Sequence, residues 1–127
     1  MHYIYAIQHN KTKKMYIGCS KNAEQRYIQH MTALKRGEHT SKEMQEDFDR
    51  FGEDYSLYIL EKVENGNDRV EDPDYSFGSI SRKTMYEVKW MRKYNTVGSG
   101  YNTQDAVARR VLRKPFYDIP LKDGLPN

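Results

Sequence analysis

The chain has 127 residues, with 21 Lys and Arg against 18 Asp and Glu, a net charge of +3 and a pI near 8.9. That size supports one modest core and one site, and the weak positive balance permits a polyanionic partner without requiring one. A mean hydropathy of -0.99, with no apolar run near the roughly 20 residues that span a bilayer and no apolar signal-peptide core, argues against membrane roles. One cysteine, Cys19, cannot form an intramolecular disulfide, which fits a reducing, cytoplasmic setting. Eleven tyrosines in so polar a chain suit a wet binding face, because phenols pack, stack and hydrogen-bond at once.

Taken in order, residues Tyr3 to Ile7 are β-prone, and the polar run from His9 to Lys14 separates them from a second strand, Met15 to Gly18. The N-terminus therefore reads as a hairpin. Tyr5 and Tyr16 can share one face of it, but register is not fixed by sequence, and two packed aromatics are the plainer reading of the spacing. Gly18 supplies backbone freedom for a sharp turn or a close approach to a ligand. A helix follows, with Asn22 and Gln25 approximating a capping box and Tyr27, Met31 and Leu34 on one stripe. Arg26 and His30, four apart, lie at the edge of that stripe. Gly37 is the expected stop, and His39 sits in the short connection after it.

Thr40 and Glu43 form a second capping-box pattern ahead of Met44, Phe48 and Phe51, a core-facing helical stripe that Gly52 ends. Tyr55, Leu57, Ile59 and Val63 then alternate as a strand completing a small antiparallel sheet. Residues 64–80 have no sustained period and read as an exposed loop or insertion. A third helix is expected from near Ser81 or Thr84 to about Tyr94, placing Glu87, Trp90 and Met91 within one turn of each other. Residues 97–102 turn the chain back toward the body. The tail carries Arg109, Arg110, Arg113 and Lys114 among prolines, and contact with nucleic acid and a plain solvated face are equally open for it. The fold class is α+β, a small central antiparallel sheet of about three strands flanked by helices.

Phosphate-loop, HExxH and paired-cysteine zinc patterns are absent from the sequence. Cys19 precedes a helix, where a thiol can be activated, but a small residue in a tight turn is the favoured reading. The remaining polar set suits phosphodiester chemistry, which needs an activated water, charge neutralisation at phosphorus and stabilisation of the departing oxygen. A tyrosine near a cation can act as base, an arginine forks onto phosphate oxygens, and one carboxylate can hold Mg²⁺. Each has a local alternative. A lone helical Arg26 is usually solvated, His30 and His39 can be buried or on the surface, and Glu87 with Thr84 reads as a helix cap ahead of a metal ligand.

The order of motifs goes further: YIY at residues 3–5, MYIG at 15–18, QRYIQH at 25–30, GEHTS at 37–41, ILE at 59–61, ExxW at 87–90 and GYN at 100–102. This series resembles the GIY-YIG nuclease family, most closely the catalytic domain of phage-type homing endonucleases, over about residues 3–107. The resemblance implies a nuclease domain over 1–107, with 108–127 as a basic tail. It implies that Tyr5 and Tyr16 are the active-site tyrosines, one of them orienting or deprotonating water, and that Arg26 binds the scissile phosphate. Glu87 would hold one Mg²⁺ or Mn²⁺ near the leaving 3′ oxygen, and His30, His39 and Asn102 would support the centre. DNA is the implied partner, with no small-molecule cofactor, and the expected products carry 5′-phosphate and 3′-hydroxyl ends. A catalytically silent nucleic-acid-binding module and a restriction- or repair-type nuclease are the alternatives. Two departures stand out. Tyr3 replaces the usual first glycine, and Glu64 to Lys83 is longer than the homing-type pattern. Homing members of this type also carry a separate DNA-binding region after the nuclease domain, so the chain reads as either a stand-alone nuclease or the catalytic part of a longer protein.

Overall fold

Tyr3, Tyr5 and Ile7 alternate with Ile4 and Ala6, a two-residue period that gives the first strand two usable faces. In the computed structural model, which describes residues 1–72 and 78–103, this run is β1 (His2–His9). It lies between β2 (Met15–Ser20) and β3 (Tyr55–Val63) in an antiparallel sheet of order β2-β1-β3. The hairpin register pairs Tyr5 with Gly18 and Ile7 with Tyr16, so Tyr5 and Tyr16 do share a face.

Helices cover both faces. Against the tyrosine face lie α1 (Ala23–Lys35) and α2 (Lys42–Phe51), whose Ala23, Met31, Leu34 and Met44 pack with Tyr5, Ile7, Tyr55 and Tyr101. Ile4, Ala6 and Ile17 point to the opposite face and meet Trp90 and Met91 of α3 (Arg82–Tyr94). The expected helix ends are present at Gly37 and Gly52, whose φ values of +70° and +83° suit glycine.

Four local readings are corrected. Ser41, not Thr40, caps α2, its Oγ accepting from the Met44 N–H at 3.3 Å. Both hydroxyls can cap, but the helix begins at Lys42, which makes Ser41 the N-cap. At α1, Asn22 does accept from the Gln25 N–H, but Ser20 Oγ receives the Asn22 N–H, the bond a capping box assigns to Gln25. The alternation of Tyr55, Leu57, Ile59 and Val63 does not hold to one face, because the β1–β3 register jumps from Tyr5 opposite Ile59 to Ile4 opposite Glu61, which carries Val63 to the α3 side, and Ile59 itself is half exposed. Leu60 is the extra residue, and this bulge reverses which side chains face inward. Finally, the segment read as loop contains a two-stranded ribbon, β4 (Arg69–Glu71) with β5 (Ser79–Ser81).

The inversion at Leu60 turns Glu61 into the layer beneath α3, where it is 5 % exposed. Glu61 Oε1 accepts from Lys89 Nζ at 2.7 Å and from Trp90 Nε1 at 2.8 Å. A buried carboxylate is tolerated only with such partners.

Candidate active site

The site grows from β2 and the start of α1. Gly18 sits mid-strand opposite Tyr5, and a Cβ there would lie 2.5 Å from the Tyr5 hydroxyl oxygen. Its role is therefore room for a tyrosine ring rather than a turn. Tyr5 is 1 % exposed, and its hydroxyl reaches His30 Nε2 at 3.2 Å. His30 is brought there by the buried stripe of α1, one residue before Met31 and four before Leu34.

His30 Nδ1 in turn meets His39 Nε2 at 2.8 Å, across the connection between α1 and α2. The two ring centroids are 5.0 Å apart with planes only 29° apart. At a nitrogen separation of 2.8 Å this is an edge-to-edge N–H···N bond, although the ring angle alone suggests stacking. The Tyr16 ring lies against the pair, 4.7 Å from His30 and 6.3 Å from His39. Tyr16, Arg26, Gln29, His30 and His39 line one cavity of about 180 Å³. This is below the roughly 300–1,000 Å³ of drug-sized ligand sites and matches a single phosphate group better.

Charge in the site is divided between the two faces of the sheet. Arg26 is exposed, with Nη1 donating to Gln29 at 3.1 Å, and its charge acts on both Tyr5 and His30. Burial raises the Tyr5 phenol above its ordinary value, the Arg26 guanidinium opposes that rise, and the Glu87 carboxylate adds to it. Glu87 belongs to α3, on the other face, so its influence on Tyr5 and Cys19 places the site around the edge strand β2. The capping reading of Glu87 is removed: α3 starts at Arg82, two residues before Thr84, and Ser81 is the N-cap. Cys19 lies within β2, half-buried, its thiol pushed up to about 11 by burial and then by Glu87. It is no nucleophile, and it is a strand residue rather than a turn residue.

Asn102 sits beside the site. Its Oδ1 accepts from the Ile17 N–H at 3.0 Å and its Nδ2 donates to the Ile17 carbonyl at 2.9 Å. With the Tyr101 N–H donating to the Met15 carbonyl at 2.9 Å, the GYN segment pairs with the outer edge of β2 at Met15 and Ile17, on either side of Tyr16. Arg109, Arg110, Arg113 and Lys114 lie outside the described residues.

Several contributors were missed from sequence. Ser41 donates its backbone N–H to His39 Nδ1 at 3.0 Å. Gln45 accepts the His39 N–H at 3.1 Å and donates to the Leu34 carbonyl at 2.9 Å, tying the connection to the end of α1. Lys21 and Lys83 both act on His2, and Lys83 also acts on Cys19, which adds positive charge on the Glu87 side. A polar residue four positions after an N-cap is a weak signal for Gln45, and no local pattern marks the others.

Glu38 lines the cavity and Glu87 lies across the sheet, and so few carboxylates suit a hard ion that keeps water and substrate oxygens as ligands. Among the described residues there is no group of three or more His, Cys, Asp or Glu that would form an all-protein cage. Also among the described residues, no helix is long and apolar enough to cross a membrane.

Comparison with known proteins identifies the family and the fold. Residues 1–102 match the GIY-YIG catalytic domain family. The chain is 29% identical over 103 residues to intron-associated endonuclease 1 of Enterobacteria phage T4, covering 81% of this chain and 37% of that protein. It thus spans little more than a third of that relative's length. The fold superposes on the catalytic domain of homing endonuclease I-TevI with a TM-score of 0.65 and 26% identity, over 83% of this chain and all of the other. A mutant of the same catalytic domain gives 0.66 and 27%, over 84% and 97%. The motif series, the three-stranded sheet and the match over residues 1–102 together make this chain a member of the GIY-YIG family.

Proposed function

We propose that this domain is a divalent-metal-dependent DNA endonuclease that hydrolyses one phosphodiester at a time. The observation that carries the reading is the convergence of Tyr16, Arg26, His30 and His39 on one phosphate-sized cavity, with the buried Tyr5 hydroxyl bonded to His30 and the Glu87 carboxylate acting on Tyr5 from the opposite face. Its similarity to endonucleases supports it.

In this reading the scissile phosphate enters beside Arg26, whose exposed guanidinium can fork onto two of its oxygens without disturbing the core. One of the two tyrosines takes the proton of the attacking water as its oxygen bonds to phosphorus. The bond from phosphorus to the 3′ oxygen then breaks and that oxygen gains a proton, leaving 5′-phosphate and 3′-hydroxyl ends. Arg26 favours the phenolate of Tyr5 as well as the phosphate, so one cation serves base and substrate. A divalent ion held by Glu87 would supply positive charge beside the leaving oxygen and offset the upward push of that carboxylate on Tyr5. Asn102 keeps β2 straight between Tyr16 and Gly18, and Lys21 and Lys83 extend the phosphate-attracting surface past Glu87.

Plasmid nicking in Mg²⁺ or Mn²⁺ tests this directly. Wild-type protein is expected to convert supercoiled to open-circular or linear DNA, and Arg26→Ala and Glu87→Ala to lose roughly 100-fold or more. Salt-dependent DNA binding with no cleavage in any divalent metal would instead identify a silent binding module.

A further inference from the structure

Four groups in line connect a helix start to the buried tyrosine. They are the Ser41 N–H, the His39 ring, the His30 ring and the Tyr5 hydroxyl, joined at 3.0, 2.8 and 3.2 Å. An imidazole can donate or accept at either nitrogen, so a chain of two usually has two directions. Here one end is fixed. A backbone N–H is only ever a donor, and Ser41 is 2 % exposed, so water does not take its place.

His39 Nδ1 must then be bare, since a proton there would set two N–H groups face to face across 3.0 Å. Neutral His39 carries its proton on Nε2 and donates to His30 Nδ1. His30 Nδ1 must also be bare, which leaves the His30 proton on Nε2, aimed at the Tyr5 oxygen. Each alternative fails at the same point. If Tyr5 donated to His30, or if either ring were doubly protonated, His39 would have to carry a proton on Nδ1.

We infer that Ser41, His39 and His30 form a tautomer lock that makes the Tyr5 oxygen an acceptor on its buried side and turns its own proton toward the cleavage site. His39 and Ser41 are positioning residues in this scheme. Gln45 serves them by holding the His39 backbone against the end of α1. The lock does not conduct. Passing a proton from His30 to a phenolate would require replacement protons along the chain and finally ionisation of a peptide N–H, which does not occur in water near neutral pH. The chain therefore stabilises a Tyr5 phenolate by a donated hydrogen bond and is not its proton source. Burial, then the charges of His39 and Arg26, drops His30 to about 4, and burial also lowers His39, so both rings are neutral at pH 7. The titratable groups facing Tyr5 are Arg26 and His30 from α1, Glu87 from α3 and Cys19 from β2.

The catalytic consequence rests on the proposed nuclease reading, whereas the tautomers do not. ¹⁵N NMR of histidine-labelled protein at pH 7.5 is expected to show His30 and His39 both as Nε2–H forms. An Nδ1–H form or an imidazolium at either position overturns the lock, whether or not the protein cuts DNA. The second arm compares His39→Gln, which retains an Nε2-type donor, with His39→Phe, which has none. ¹³Cζ tyrosine NMR should show Tyr5 ionising at higher pH in His39→Phe, with His39→Gln between that variant and wild type, because its amide can still donate to His30 but no longer has its direction fixed by the Ser41 N–H. In nicking assays His39→Phe should lower kcat roughly ten- to a hundred-fold with KM little changed and the pH profile displaced upward, and His39→Gln should recover part of that loss. Equal behaviour of the two folded variants in both measurements sinks the proposal. If wild-type protein fails to cut while the NMR results hold, the nuclease reading falls and the lock stands.

Discussion

A methyl group at position 18 would meet the Tyr5 hydroxyl at 2.5 Å, and the Tyr5 ring, 1 % exposed, has little room to retreat. Gly18→Ala is therefore expected to cost about 1–3 kcal/mol of stability, as overpacking does, measured as a fall in urea midpoint. It should also cost more activity than that loss of folded protein accounts for, because the phenol moves off His30. His30 gives a pH prediction of definite sign. Its ionisation lies at about 4 in the folded protein against 6.5 for a free side chain, so between these values the unfolded chain binds the extra proton. The stability contributed by the neutral ring is intact above about 6.5 and is lost as pH falls to about 4, amounting to roughly 3 kcal/mol. Urea titrations at pH 7.5 and pH 4.5 check it: wild type should lose most of this difference, and His30→Phe should show a flatter dependence.

Among the elements, the caps and clamps decide whether the site is held. Ser41→Ala removes the hydroxyl that caps α2 and should cost about 1 kcal/mol, yet leave the backbone N–H to His39 in place. Cleavage by the folded fraction is expected to survive it. Asn102→Ala leaves the Ile17 N–H and carbonyl, both in buried hydrogen bonds, without their partners. A loss of about 1–3 kcal/mol in chemical denaturation should accompany faster amide exchange at Ile17. These elements were largely legible in the sequence. The hairpin, all three helices and the span from Tyr55 to Val63 follow from periodicity and glycine stops, and the resemblance supplied Tyr5, Tyr16, Arg26 and Glu87. Features set by two partners at once were not legible. Tyr55, Leu57, Ile59 and Val63 read as one alternating run, and only the pairing with Ile4 and Tyr5 shows the bulge at Leu60. Thr84 and Glu87 fit a capping box by spacing, but the chain enters the helix earlier, from the ribbon that ends at Ser81. The direction of the histidine chain depends on a peptide group that has no side chain to read.

At the scale of the whole molecule, two layers of helices meet the sheet through different chemistry. The α1 and α2 side carries the histidines and Arg26, and the α3 side is fastened by the buried trio of Glu61, Lys89 and Trp90. Lys89→Ala would remove the 2.7 Å ion pair from Glu61, which is 2 % exposed at its side chain. That should destabilise the protein by about 3–5 kcal/mol, seen as a lower thermal midpoint, and should release Glu87 together with α3. Glu61→Gln with Lys89→Met removes both charges and is expected to recover much of the loss.

The placement of Glu87 on the far face also orders events during synthesis. Tyr5, Tyr16, Arg26, His30 and His39 all leave the ribosome before Glu87, and β3, which flanks the central strand, is made between the two groups. The tyrosine, arginine and histidine side is thus made ahead of α3, yet its core closes only with Tyr101, which follows Glu87. On the proposed reading, the ability to break a DNA strand arrives only when translation has passed α3 and that helix has docked.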